Sequence, residues 1–205
     1  MKQTAFASVQ PHEVVVAGTR FLASFRRRSR IGVLALHGTI EAGTAEMAHA
    51  VADRAGASVL SFTQPWRPAT HVPSHRMSAA DCDAMSSFLS HADFVVSLHG
   101  HGRSHNPPSI FLGGVNRTAA GVLGRHMRDL DDQFQVVEDL DEIPRGLRGL
   151  HPRNPVNLAR HGGVQIELPS TARTQRSDSD APSPFGAVTR AITQGVAELA
   201  LLAQG

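Results

Sequence analysis

The sequence predicts an α/β fold, namely a three-layer α/β/α sandwich with a mostly parallel or mixed sheet. Short apolar runs rich in β-branched residues alternate along the chain with segments of helical periodicity, which is the pattern of repeated strand–helix units. The chain has 205 residues, of which 41% are hydrophobic and 19% are charged, as in an ordinary globular domain. We therefore expect one domain over residues 1–205, with a core over about 31–173.

The first predicted unit is a strand over 31–36 followed by an Ala-rich helix over 44–55. Thr44 carries a hydroxyl group that can cap the first turn of this helix. Gly56 is expected to end the helix, because glycine adopts the left-handed conformation of a helix C-terminus without steric cost.

Two further helices are each predicted to begin at a residue that favours helix N-termini. Ser78 precedes the helix expected over 78–90, and Asn116 precedes the helix expected over 116–130. The remaining strands are predicted from short apolar runs bounded by polar residues and glycines. They are expected over 58–62, 94–98, 109–112, 134–137 and 163–168.

The C-terminal third differs from these regular units. Residues 144–163 are rich in Pro, Arg, Asn and Gly and lack helical periodicity, which predicts a long ordered loop. Loops of this length usually carry function. Residues 171–184 are polar, and an amphipathic helix over 185–203 is expected to close the domain.

Charge and cysteine content narrow the classes of partner and cofactor. The formal net charge is only +2, which is too small to predict binding to nucleic acid. Cys82 is the single cysteine, so neither an internal disulfide nor a Cys-rich zinc site is expected. No long apolar segment follows the N-terminus or the basic run 26–30, so we expect a cytoplasmic protein without a membrane segment.

Chemically reactive side chains occur where three predicted strands end. His37 and Glu41 follow the first strand, His99 ends the strand that begins at residue 94, and Glu167 lies at the end of the last strand. In each segment an apolar run gives way to a His or Glu next to glycine. Side chains delivered by the carboxyl ends of buried strands commonly form one site.

These residue types match the needs of a metal hydrolase. A catalytic zinc site usually has three His or carboxylate ligands and an open position for water, and His37, Glu41 and His99 would supply such a set. Alone, each could be structural; Glu41, for example, could be a carboxylate that favours a helix start. Glu167 is harder to explain structurally, because an ionised carboxylate in an apolar run is costly to bury without a partner. It could instead transfer a proton during amide hydrolysis.

Other catalytic schemes lack their motifs. An α/β-hydrolase needs a Gly-x-Ser-x-Gly elbow, and the chain contains none. The chain has no Gly-x-Gly-x-x-Gly loop after a strand, and it lacks the Gly-Lys-Ser/Thr sequence that ends a P-loop motif. A phosphate-binding loop is therefore not expected.

An ordered series of segments resembles the phage-type poly-gamma-glutamate hydrolase family. The series comprises residues 37–44, 71–74, 97–100, 112–114, 149–157 and 163–169. The resemblance implies a zinc carboxypeptidase-like fold, zinc on His37, Glu41 and His99, and Glu167 as the general base. His37 and Glu41 are one residue closer in sequence than is usual in the family. His101 is a second candidate for a metal ligand, and the chain has no Tyr.

Substrate binding is expected to depend on arginine and asparagine residues near these segments. A guanidinium group pairs with a carboxylate through two parallel hydrogen bonds, so Arg103, Arg153 and Arg173 are candidates for binding an acidic substrate. Asn154 could orient an amide or shape the turn in which it lies.

Three functions remain open from the sequence. The first is a zinc-dependent hydrolase that cleaves amide bonds of acidic substrates, above all γ-linked poly- or oligoglutamate. The second is a zinc amidohydrolase that acts on an N-acyl amino acid. The third is a catalytically silent binding protein of the same fold, against which the presence of Glu167 argues. The oligomeric state, the linkage cleaved and the polymer length do not follow from the sequence.

Overall fold

A computed structural model describes residues 10–104, 107–130, 132–174 and 183–203. Within these residues the chain forms one eight-stranded mixed sheet flanked by helices. The strands are β1 His12–Val16, β2 Thr19–Arg26, β3 Ile31–Ala35, β4 Ser58–Thr63, β5 Phe94–His101, β6 Ser109–Gly113, β7 Gln135–Val137 and β8 Gly163–Pro169. The α-helices are α1 Thr44–Ala55, α2 Asp83–His91, α3 Arg117–Met127, α4 Ser170–Arg173 and α5 Phe185–Leu202.

The strand order across the sheet is β1-β2-β4-β3-β5-β8-β6-β7. The four central strands β4, β3, β5 and β8 are mutually parallel. Towards one edge, β2 is antiparallel to β4 and β1 is antiparallel to β2, and towards the other edge β6 is antiparallel to β8. The predicted sheet is therefore confirmed in its mixed form.

Helices cover both faces of the sheet, which confirms the three-layer sandwich. On one face, Val33 and Val96 belong to a core cluster that includes buried residues of α1, α3 and α5. On the other face, Leu34 and Val95 pack in a cluster with Phe88 of α2. Neighbouring residues of the central strands thus enter different cores, which explains why these strands are apolar on both faces.

Most predicted elements are confirmed, with boundaries that differ by a few residues. The helix over 44–55 is confirmed at both ends, and Gly56 ends it with φ of 66°. Asn116 caps α3, since its side chain accepts a hydrogen bond from the Ala119 amide at 2.9 Å. The predicted loop over 144–163 contains the short 3-10 helices Arg145–Leu147 and Pro155–Asn157.

Two cap predictions were wrong. Gly43, not Thr44, occupies the cap position of α1, and the Thr44 hydroxyl donates instead to the Glu41 carbonyl at 2.8 Å. Gly43 has φ of 94°, and a Cβ built on it would lie 1.6 Å from a backbone oxygen of α4, so the close approach of α4 requires glycine here. Ser78 caps only the 3-10 helix Ala79–Asp81, and α2 begins later, at Asp83.

The strands β1 and β2 were not predicted from the sequence. Their pairing adds an antiparallel hairpin before the first predicted strand. A period-two signal was available in β2, where Phe21 and Ala23 are buried while Arg20, Leu22 and Ser24 are more exposed. Among the described helices, none is long and apolar enough to cross a membrane.

Candidate active site

The reactive side chains predicted from the sequence meet because the strands that carry them are adjacent. β3, β5 and β8 are neighbours in the sheet and run in the same direction. His99 of β5 and Glu167 of β8 are register partners on neighbouring strands. His37 and Glu41 follow β3 and therefore lie at the same edge of the sheet. Such carboxyl-end edges are the usual position of ligand sites in open α/β sheets.

Three side chains come close enough to hold one metal ion. His37, Glu41 and His71 each place a ligand atom within 4.8 Å of the other two. Nδ1 of His37 lies 3.0 Å from Oε1 of Glu41. His37 and Glu41 are buried, whereas His71 is exposed at the mouth of the site.

The hydrogen bonds of His37 indicate what lies between it and Glu41. Its Nε2 atom lies 2.8 Å from the Val72 carbonyl oxygen, which can only accept, so Nε2 carries the proton. Nδ1 lies 3.0 Å from a Glu41 carboxylate oxygen, so either a proton on Nδ1 or a cation lies between these two atoms. Histidine ligands of metals are commonly fixed in this way by a carbonyl on the second nitrogen.

The second oxygen of Glu41 also fits a metal ion. Oε2 is buried and has no hydrogen-bond donor among the described residues. It lies 3.4 Å from Nδ1 of His99, whose Nε2 is held 3.0 Å from the Ser97 hydroxyl. A buried carboxylate oxygen without a donor is costly unless a cation binds it, so the donor set fits the metal that the sequence suggested.

The charges of this cluster support the ionised form of Glu41. Burial raises the pKa of the Glu41 carboxyl, but the charge of His99 and hydrogen bonding with His37 outweigh it and hold the pKa well below its ordinary value. Burial is the largest single influence on His99 and lowers its pKa, but the charge of Glu41, a hydrogen bond with Glu41 and the charge of Glu167 together raise the pKa above its ordinary value. The site is thus built around one anionic carboxylate between imidazole groups.

At Glu167, in contrast, the effect of burial on the pKa outweighs that of the neighbouring charges. Glu167 is 4% exposed, and burial raises its pKa to about 7, because the charge of His99 only partly offsets the desolvation. A hydrogen bond from Nε2 of Gln165 to Oε1 of Glu167, at 2.8 Å, fixes the carboxyl group. Asn154 in turn donates to Oε1 of Gln165 at 2.8 Å. A carboxyl group with a pKa near neutrality can both accept and return a proton.

These side chains line a cavity of about 460 Å³. Its floor contains His37, Glu41, His99 and Glu167, and its wall contains Arg145 of the 144–163 loop. Further lining residues include the histidines at its mouth, which are His71, His75 and His151. The outer part of the cavity therefore presents three imidazole rings and the Arg145 guanidinium group to a ligand.

The arginines predicted to bind substrate lie at different distances from this cavity. Arg173 packs against Gly100 and donates a hydrogen bond to the Ala42 carbonyl, behind the His37–Glu41 turn. Arg103 is exposed after the end of β5. Arg153 lines a neighbouring cavity, not the one that contains Glu167.

His101 is held away from the metal cluster by two hydrogen bonds. Its Nε2 lies 2.9 Å from the Ser109 carbonyl, and its Nδ1 accepts from the Arg103 amide at 3.2 Å. Because a carbonyl oxygen cannot donate, Nε2 carries the proton, and the lone pair of Nδ1 is already engaged. The His101 ring also packs on Phe111, at 5.1 Å between ring centroids.

The sequence patterns did not reveal roles for His71, Arg145 or Gln165. Gln165 could have been found, because it precedes Glu167 by two residues and so faces the same side of β8. His71 lies in one of the segments that carried the resemblance, but a loop separates it from β4. Arg145 had no local signal, since it lies in the irregular 144–163 loop.

Comparisons with known proteins give one family match and several similar folds. The model of a family described as poly-gamma-glutamate hydrolase matches residues 13–180. A bacteriophage poly-gamma-glutamate hydrolase structure superimposes with a TM-score of 0.71 at 24% identity, over 92% of this chain and 91% of that chain. The zinc-free apo form of YNDL superimposes with a TM-score of 0.67 at 21% identity, over 89% of each chain.

A more distant likeness involves an N-formylglutamate amidohydrolase from Ralstonia eutropha, with a TM-score of 0.50 at 12% identity over 90% of this chain and 98% of that chain. These levels of identity establish a shared fold. No curated protein matches the chain.

Proposed function

The chain belongs to the poly-gamma-glutamate hydrolase family, and from this premise we propose that it is a zinc-dependent hydrolase of γ-linked poly- or oligoglutamate. The observation that carries the proposal is that His37, Glu41, His99 and Glu167 line one cavity at the carboxyl ends of β3, β5 and β8. Glu41 is ionised among imidazoles, whereas Glu167 has a pKa of about 7. One suits metal ligation and the other suits proton transfer.

We assign the metal to His37, Glu41 and His99, with His71 as the alternative third ligand. Distance favours His71, because its ligand atom lies within 4.8 Å of those of His37 and Glu41. His99 is favoured by its burial and by its approach to the donor-free Oε2 of Glu41 at 3.4 Å. We prefer His99, because a buried, hydrogen-bonded imidazole is already oriented. The His and carboxylate donors suit zinc better than calcium or magnesium.

A bound zinc ion would polarise the scissile carbonyl and lower the pKa of an attacking water. Glu167 accepts a proton from that water on its carboxylate and returns it to the leaving amine. Gln165 holds the carboxyl group in place through its 2.8 Å hydrogen bond, and Asn154 holds Gln165. Asn154 thus acts on the substrate indirectly, by positioning the base.

The acidic substrate is supported by the charges around the cavity. Arg145 is exposed on the cavity wall and forms no ion pair within the described part of the chain, so its guanidinium can pair with a substrate carboxylate. We assign Arg173 a supporting role, because it holds the turn that carries Glu41. Arg153 lines the neighbouring cavity and would contact only longer substrates, and Arg103 is exposed after the end of β5.

Metal content and a substrate panel test the proposal. Protein purified without added metal should contain about one zinc per chain, and His99→Ala should lose it. If His71→Ala loses zinc while His99→Ala keeps it, the alternative ligand set is correct.

With zinc bound, γ-glutamyl oligomers should be cleaved faster than α-glutamyl or hydrophobic peptides, and a chelator should abolish cleavage. Preference for N-acyl-glutamate would instead support the amidohydrolase alternative. A zinc-loaded protein that binds but cleaves none of these substrates would be the silent binding protein.

A further inference from the structure

A second cavity adjoins the candidate active site. It has a volume of about 430 Å³, and His75 lines both cavities. Neither the metal binding nor the proton transfer proposed for the active site uses this second cavity. Its position beside the site raises the question of what it binds.

Two loops form the boundary between the cavities. On the loop after β4, Ser74 lines the active-site cavity and Arg76 lines the second one. On the loop before β8, His151 lines the active-site cavity and Arg153 lines the second one. A ligand that extends beyond the first cavity at this boundary would therefore meet Arg76 and Arg153.

The boundary is held together by a pair of imidazole rings. His75 and His151 stack with 4.5 Å between ring centroids and an angle of 27°. Nδ1 of His151 accepts a hydrogen bond from the Arg153 backbone amide at 3.1 Å. The stack and this hydrogen bond fix Arg153 next to the opening of the first cavity.

The charges of the second cavity suit an anionic ligand. Arg76 and Arg153 are exposed, and neither forms an ion pair with an acidic residue in the described ranges. Asp81 is the acidic residue among those that line the cavity, so the two guanidinium groups leave a net positive charge. Exposed guanidinium groups bind carboxylates well when several carboxylates are presented together.

Resting on the proposed function, we propose that the second cavity is an outer subsite for the free carboxylates of a γ-linked glutamate chain. Each γ-linked residue keeps one free α-carboxylate, so a chain that extends past the His75–His151 stack presents a row of anions to Arg76 and Arg153. A dimeric substrate ends within the first cavity and gains nothing from the outer subsite. Longer oligomers should therefore be bound more tightly and cleaved with higher kcat/KM.

The test compares a γ-linked dimer with a γ-linked octamer, using the zinc-loaded enzyme. We expect the octamer-to-dimer ratio of kcat/KM to fall about fivefold or more in the double variant Arg76→Gln/Arg153→Gln, mainly through a higher KM for the octamer. Arg190→Gln is the matched control, because Arg190 is exposed on α5, on the opposite face of the sheet. This control should keep the parent's ratio.

A binding measurement separates affinity from turnover. In the Glu167→Gln background, calorimetry with the octamer should show weaker binding for the double variant, and the difference should shrink as salt screens the charges. A short single-stranded oligonucleotide should not compete with the octamer. Equal competition would reveal a nonselective polyanion surface and would overturn the proposal.

The two hypotheses fail in different ways. If the parent enzyme cleaves neither oligomer, the proposed function is wrong. If the parent cleaves both with equal efficiency, or if the double variant keeps the parent's ratio, the outer subsite is wrong and the proposed function stands.

Discussion

Removing the charge of Glu167 should stabilise the metal-free protein at neutral and alkaline pH. Burial raises the pKa of this carboxyl from an ordinary value near 4.5 to about 7. The difference between these two values, at about 1.4 kcal/mol per pH unit, corresponds to about 3 kcal/mol of unfolding free energy. Glu167→Gln keeps the shape of the side chain and can still accept the hydrogen bond from Gln165.

The sign of the effect follows from the direction of the pKa change. A group whose pKa is raised by folding gives its full stability below its unfolded pKa, and that stability is lost as the pH rises through the folded pKa. The Gln variant does not titrate. The unfolding free energy of the variant minus that of the parent should therefore be near zero at pH 4. This difference should rise between about pH 4.5 and pH 7 and level off at about 3 kcal/mol above pH 7.

Urea unfolding in the presence of a chelator, at several pH values, measures this difference. Glu142→Gln is a suitable control, because Glu142 is exposed and surface substitutions usually change stability little. We expect the control to show only a small difference in unfolding free energy. A difference for the Glu167 variant that does not depend on pH would refute the argument that burial opposes ionisation at this position.

Three further predictions follow from the site and its supporting turn. His99→Ala should lose zinc while His101→Ala keeps it, as measured by metal analysis of purified protein, and the reverse result would contradict the assignment. Glu167→Gln should keep zinc and lower kcat by roughly 10²–10⁴-fold. Full activity of this variant in steady-state assays would contradict the role of Glu167 as the general base. Gly43→Ala should destabilise the protein by roughly 3 kcal/mol or more, because its Cβ would overlap a backbone oxygen. Gly56→Ala, with nothing within 4 Å of its Cβ, should cost only about 1 kcal/mol, and equal melting temperatures for these two variants would contradict the steric argument.

Local sequence signals predicted the regular elements well. The helix over 44–55 and the strand that ends near Glu167 depend on short-range periodicity and on Gly56 at a helix end, which act over a few residues. These signals were weaker for β2, because its polar residues make it resemble a surface segment. The prediction of a Thr44 cap was wrong for a nonlocal reason, namely that α4 approaches the chain at Gly43.

The sequence by itself determined the α/β class and the set of reactive residues at the strand ends, because both depend on neighbouring residues. The tertiary structure decided the strand order that makes β3, β5 and β8 adjacent, and so which of these residues meet. It also decided that His101 is held by the Ser109 carbonyl and that Arg145 reaches the cavity wall. These outcomes depend on contacts between segments far apart in the chain, and no local pattern encodes such contacts.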